Sequence, residues 1–184
     1  MKEKIIETAW EEAAVHSLRF TMADIARRAH MSKTSIYKVF ASKDALVHEM
    51  LSYRIKTYQQ DLKKGDIAGS LAKQIRHFVE CYINLMSPIF SSGLYRDLEF
   101  SYPEEYIKLE VFYGDQVDYV TNLLQKGVDA GEFRPINLAV VQRALYVSTE
   151  AMLDARFLAS HNLTYKEAVE NLEDLLFNGI LEPS

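Results

Sequence analysis

Apolar residues recur along this chain at helical spacing, and short polar breaks divide them into segments. Ile5, Ile6, Ala9, Trp10, Ala13 and Ala14 form the first stripe, the i, i+3, i+4 pattern of an amphipathic helix. Thr21 then stands three positions before Asp24, a short-chain form of the capping box, with an acid where the helix dipole is positive. Ile25, Ala26 and Ala29 give this second helix its inner face, while Arg27 and Arg28 point elsewhere. Ser32 offers the next N-cap, for a third short helix held by Ile36, Tyr37 and Phe40. Ser42 opens a fourth, with Leu46, Val47, Met50, Leu51 and Ile55 on one side, running to a break at Lys63-Lys64-Gly65-Asp66.

The second part of the chain repeats the logic at greater length. Ser70 caps a fifth helix whose face carries Leu71, Ile75, Phe78, Cys81, Tyr82 and Leu85, and Ser87-Pro88 and Ser91-Ser92-Gly93 are expected to interrupt it. Ser101-Tyr102-Pro103-Glu104-Glu105 places proline and acids in a first turn, predicting a helix to about Ala130 that ends at Gly131. Asn137 begins another, with Leu138, Val141, Leu145, Met152 and Ala155 along one side, closed by His161-Asn162. Thr164 and Glu167 form a full capping box for a last helix bearing Ala168, Leu172, Leu175, Leu176 and Ile180. Neither strand alternation nor an internal repeat emerges, so the fold class is all-α, with about nine helices.

Composition refines this picture. The 184 residues, 48% of them apolar, suffice for one core or for a small head on a larger body. No run approaches the ~18 apolar residues of a membrane span, and the N-terminus has no apolar signal stretch. A single cysteine, Cys81, cannot form an internal disulfide, which fits a reducing compartment, so a cytoplasmic protein is expected. The net charge of −5 speaks against a polyanionic partner, but its distribution points the other way. Residues 19–64 hold ten Lys/Arg against four Asp/Glu, and residues 65–184 hold nine against eighteen. A basic segment on an acidic body is what phosphate binding requires, because Lys and Arg displace condensed counterions.

Two short helices joined by a tight turn, the second polar and lysine-bearing, are the layout of a helix-turn-helix. The residues Ile25-Ala26, Ser32-Lys33-Thr34-Ser35-Ile36-Tyr37-Lys38-Val39-Phe40 and Ser42-Lys43-Asp44-Ala45-Leu46 agree in order and spacing with the tetracycline-repressor (TetR) family of bacterial regulators, which the first 55 or so residues resemble. The resemblance implies an N-terminal three-helix helix-turn-helix head, residues 1–50, on a larger helical ligand-binding and dimerisation body, residues 51–184. It also implies a DNA-binding transcriptional regulator, a repressor released from its operator by a small hydrophobic or aromatic effector. Two departures stand out: His30 occupies a turn position where the family usually has glycine, and Val15-His16-Ser17-Leu18 lacks the glycine usual after helix 1. They leave open an alternative, a small-molecule-binding or adaptor protein of the same fold with weak or lost DNA binding.

By the same resemblance, Lys33 and Thr34 face base edges, with Ser35 and Lys38 beside them. Lysine can pair with guanine O6 and N7, and a threonine methyl can touch a thymine methyl. Thr21, Tyr37 and Lys43 resemble the family's phosphate anchors, with a core aromatic as the lesser reading of Tyr37. A pseudo-palindromic double-stranded DNA operator needs two heads, and a homodimer formed through Val141, Leu145, Met152, Leu172 and Leu176 would supply them. Ten of the twenty Phe and Tyr residues fall within 78–120. Such stripes are usually core, but the family's effector cavity lies among these middle helices, which nominates Phe78, Tyr82, Tyr106, Leu109, Phe112 and Tyr113 as its lining.

Other chemistry finds little support. Ser70-Leu71-Ala72-Lys73 matches a nucleophile pattern without the motifs that accompany it. His77 and Cys81 are four apart, too few ligands for a structural metal site, and Glu104, Glu105 and Glu110 read as an acidic helix start. No catalytic residue, metal or cofactor is expected.

Overall fold

The computed structural model describes residues 1–65, 69–91 and 93–180, without the side chains of Ser91, Ala155 and residues 177–180. Asp66 and Ser92 of the expected breaks, and the side chain of Ile180, therefore lie outside the described residues. Among the described residues ten α-helices follow in order: α1 Lys2–His16, α2 Met22–Arg28, α3 Lys33–Val39, α4 Lys43–Leu62, α5 Leu71–Ser91, α6 Leu94–Ser101, α7 Pro103–Asp129, α8 Leu138–Ala151, α9 Ala155–Ser160 and α10 Tyr165–Ile180. A 3-10 turn, Ser17–Arg19, links α1 to α2, and no strand occurs among the described residues.

Local signals place most of the boundaries. Asp24 N–H donates to Thr21 Oγ1 at 3.2 Å while Thr21 N–H donates to Asp24 Oδ2 at 2.9 Å, the reciprocal capping box expected of α2. Ser32 and Ser42 accept from Ser35 N–H and Ala45 N–H at 3.0 and 3.1 Å. Thr164 and Glu167 close the box that opens α10. Two boundaries differ from the sequence expectation. α5 runs through Pro88 to Ser91, since burial of Met86 and Ile89 outweighs the hydrogen bond that proline deletes from its last turn. The helix begun at Asn137 stops at Ala151, because Asp154 turns its carboxylate to Arg156 N–H at 2.8 Å and caps a separate α9.

The chain divides into two compact units, Met1–Gln60 with Pro88–Lys108, and Asp61–Ser87 with Leu109–Ser184. The first has a core of Ile5, Ile6, Ala9, Trp10, Leu18, Phe20, Ile25, Ile36, Leu46 and Met50, joined by Leu94 and Leu98 of α6. Trp10 Nε1 donates to the Met50 carbonyl at 3.3 Å, fixing α1 against α4, and Leu18 N–H donates to Asp97 of α6 at 3.3 Å. Glu105 of α7 is buried, with Lys108 and His48 both 2.9 Å from its carboxylate. Burial pushes the Glu105 carboxyl up, but those two partners outweigh it and hold it below its ordinary value.

In the second unit, α5, α7, α8 and α10 bury Ile75, Phe78, Leu109, Leu123, Leu124, Phe133 and Val169. Phe133 is seated on Gly127, where any Cβ would lie 2.0 Å from its ring. Glu132 receives Leu71 N–H at 2.9 Å and Ala72 N–H at 2.8 Å, so the start of α5 is capped from the far end of α7 as well as by Ser70. Among the described residues no helix is long and apolar enough to cross a membrane.

Candidate nucleic-acid interface and ligand cavity

The turn between α2 and α3 is built by His30. Its φ of 54° is left-handed, with His30 N–H on Arg27 O at 3.2 Å and Met31 N–H on Ala26 O at 2.9 Å. This is the Schellman pattern that usually takes glycine. Histidine tolerates that region better than a bulky branched residue, so the turn forms without its glycine. Ser17 does the same after α1, at φ 51° and ψ −142°.

Beyond the His30 turn α3 is held by its inner face. Ile36 is fully buried and Phe40, its cap, nearly so. Lys33, Thr34, Tyr37 and Lys38 are exposed on the other side, and Ser35 is half-buried with its hydroxyl 2.8 Å from that of Ser32. Tyr37 is 50% exposed, which removes the core-aromatic reading. Lys33 and Lys38 enter no ion pair among the described residues. By contrast Arg27 is 2.7 Å from Asp24, and Arg28 reaches Glu11 and Glu12 at 2.9 and 3.1 Å. Thr21 is exposed but donates its hydroxyl to Asp24 at 2.7 Å. Lys43 is the most constrained of the seven residues. Its ammonium donates to the Leu18 carbonyl and lies 4.9 Å from the Phe20 ring centre, and burial lowers its pKa.

The ligand-lining candidates separate. A cavity of about 80 Å3 within the second unit is walled by α5, α7, α8 and α10, and Phe78, Tyr82 and Tyr113 line it. Leu109 and Phe112 are buried elsewhere in the core. Tyr106 belongs to the first unit, its ring tilted against that of Tyr95 with 5.2 Å between ring centres. The Tyr113 hydroxyl donates to the Tyr146 carbonyl at 2.9 Å beside Thr149 at 2.6 Å, and burial pushes its pKa up to about 12. Sequence reasoning missed Thr149 and Glu173, both in the cavity wall.

The residues expected at a dimer surface also part company. Val141, Leu145, Leu172 and Leu176 line the cavity, while Met152 is half-buried outside it. The outward stripe of α8 is Val140, Ala144, Val147 and Ala151, all exposed, one position round the helix and so about 100° away. Val140 and Val147 are 64% and 45% exposed, and Leu175 of α10 is 71% exposed. The signal was available, because 140, 144, 147 and 151 repeat at heptad spacing.

The remaining candidate sites resolve into structure. Ser70 is a helix cap. Cys81 Sγ lies 3.6 Å from His77 Nε2, and no larger group of metal-ligating side chains gathers among the described residues.

Comparison with known proteins agrees with this geometry. Residues 5–50, which span α1 to α3 and the start of α4, match the family described as "Bacterial regulatory proteins, tetR family". Over 183 residues the chain is 24% identical to the uncharacterized HTH-type transcriptional regulator YvaF of Bacillus subtilis (strain 168), covering 98% of this chain and 95% of that one. Among solved structures, a transcriptional regulator from Cytophaga hutchinsonii superposes with a TM-score of 0.70 at 19% identity, covering 98% of both chains. The fatty acid degradation regulator FadR from Bacillus halodurans gives 0.68 at 14% identity, over 95% of this chain and 93% of that one. The helix-turn-helix segment, residues 5–50, thus matches the tetR family of bacterial regulatory proteins, and the whole chain has the all-helical fold of solved TetR-type regulators.

Proposed function

We propose that this regulator is a repressor that a small hydrophobic or aromatic effector releases from its operator. The observation that carries the DNA-binding half is the outward face of α3, where Lys33, Thr34 and Lys38 are exposed above a buried Ile36. In this reading residues 1–50 bind DNA and residues 51–184 bind effector and dimerise, in the cytoplasm. Lys33 and Thr34 meet base edges, Ser35 and Lys38 flank them, and Thr21, Tyr37 and Lys43 contact phosphates. Two copies pair through the outward stripe of α8, because a row of Val140, Ala144, Val147 and Ala151 gains by leaving water. The effector occupies the cavity beside Phe78, Tyr82 and Tyr113, and it must favour a state whose head spacing misses the operator, since equal affinity for both states shifts nothing.

A gel shift at stated salt, with DNA from upstream of the protein's own gene, tests this. A retarded complex is expected on a site with two half-sites ~34–36 Å apart, or a multiple of that. Lys33→Ala should weaken binding in a sequence-dependent way. Lys43→Ala should weaken every sequence and flatten the salt slope by about one. Equal losses on specific and random duplex for both variants would defeat the assignment, and a protein that shifts no duplex would be the ligand-binding alternative.

A further inference from the structure

The cavity between α5, α7, α8 and α10 presents an almost wholly apolar surface, with Ile75, Val117, Leu124 and Leu145 among its wall residues. Polar residues stand in that wall too, but their polar atoms are engaged by the protein. The Tyr113 hydroxyl donates to Tyr146 O beside Thr149, and Thr149 donates to Leu145 O. Gln116 Nε2 donates to Phe112 O at 3.2 Å, and Tyr82 hydrogen-bonds Tyr165. Glu173 Oε1 is shut off from solvent and ion-paired with Arg76 Nη1 at 3.6 Å. No lysine, arginine or histidine lines the cavity, and all the chain's residues of those three types are among the described ones.

A hydrophobic or aromatic effector covers both hydrocarbons and amphiphiles with a polar head, and this wall separates the two. A hydroxyl, amine or carboxylate carried inside sheds its water and meets carbon, so its desolvation is not offset. The carboxylate fares worst, because no cation is there to receive it and the wall's own charged residue, Glu173, is an acid. We infer that the cavity selects an uncharged, hydrocarbon-like molecule held by apolar contact alone, and discriminates against acids, amines and alcohols of the same frame. This rests on the proposed effector site and names its ligand class. Burial of apolar area is then the whole driving force, and affinity follows that area. The volume of about 80 Å3 is below the roughly 150 Å3 of an engineered apolar cavity that holds benzene, so single-ring molecules are the probes to use, with the walls giving slightly on entry.

Benzene, toluene, benzyl alcohol, benzylamine and benzoate share one ring and differ in what it carries. Each is titrated into the full-length protein, with binding read by ligand-observed NMR. Toluene should bind up to about fourfold more tightly than benzene, the worth of one buried methylene. It should exceed benzyl alcohol by about tenfold or more, the cost of a hydroxyl buried without a partner, with benzylamine weaker still and benzoate weakest. Val117→Phe and Val120→Phe, both in the wall, fill the cavity and should abolish toluene binding. Toluene bound undiminished by either folded variant would lie elsewhere and overturn the inference; should neither variant fold, the wild-type ranking still decides. Benzyl alcohol, benzylamine or benzoate matching toluene would overturn the inference while leaving the cavity a ligand site. Absence of binding by all five would remove the effector site itself, and the inference with it.

Discussion

Ser17 is the residue whose replacement says most about how this head is built. It ends α1 at φ 51° and ψ −142°, a region that glycine enters freely and that costs other residues about 1–3 kcal/mol. It is also buried, and its Oγ has no hydrogen-bond partner, which adds roughly 1 kcal/mol or more. Ser17→Gly removes both penalties and restores to the unfolded chain about 0.5–1 kcal/mol of glycine freedom. The net expectation is a gain of about 2 kcal/mol, or ~4–8 °C in Tm for a chain of this size. Ser17→Ala serves as the control, since it deletes the hydroxyl but keeps the Cβ, and should recover only the smaller part. Urea unfolding at one fixed protein concentration should show the midpoint rising for both variants with m unchanged. A glycine variant no more stable than the alanine variant would refute the backbone argument, and a destabilised one would refute the whole reasoning.

Further expectations follow from other contacts. Asp24 is held below its ordinary carboxylate value by hydrogen bonds from the Thr21 hydroxyl and backbone, with Arg27 beside it. Its folded pKa is therefore depressed, and its contribution is complete above the unfolded value and lost as pH falls through the folded one. Asp24→Asn should lower Tm at neutral pH, and the gap to wild type should close on acidification, as thermal melts across pH would show. Val147→Glu sets a charge in the exposed stripe of α8 and should yield the mass of one chain in light scattering, whereas Val141→Ala, in the cavity wall, should leave a dimer. Tyr113→Phe strips a donor from the partly buried Tyr146 carbonyl and should cost about 1 kcal/mol in urea unfolding.

What the sequence disclosed follows from the range of each interaction. Thr21, Ser32, Ser42, Ser70, Asn137 and Thr164 mark helix starts because a cap bonds only two or three residues ahead, and the structure forms each of these bonds. The outward lysines of α3 were legible too, since burial of Ile36 and Phe40 fixes the opposite face. The break at Asp154 was hidden, because the apolar spacing continues across it and only the carboxylate's turn toward Arg156 N–H betrays a new helix. α8 carries two apolar stripes, and periodicity cannot say which one its own unit buries; the packing of α5, α7 and α10 turned Val141 and Leu145 inward. Tyr106 and Tyr113 share a helix and a residue type, yet they fall in different units, a division set by tertiary contacts alone. Glu173 gave no local sign, as a carboxylate on a helix ordinarily reads as solvated surface.

In the proposed mechanism everything depends on the exposed lysines of α3 reading duplex DNA. Fluorescence anisotropy across a salt series, with a duplex from the upstream region and a scrambled one, compares wild type with a Lys33→Ala/Lys38→Ala double variant. Wild type should bind the first at least ~10^3-fold more tightly than the second, and the double variant should lose most of that ratio with a shallower salt slope. Equal affinity of wild type for both duplexes, or a double variant that discriminates as well as wild type, would contradict that mechanism.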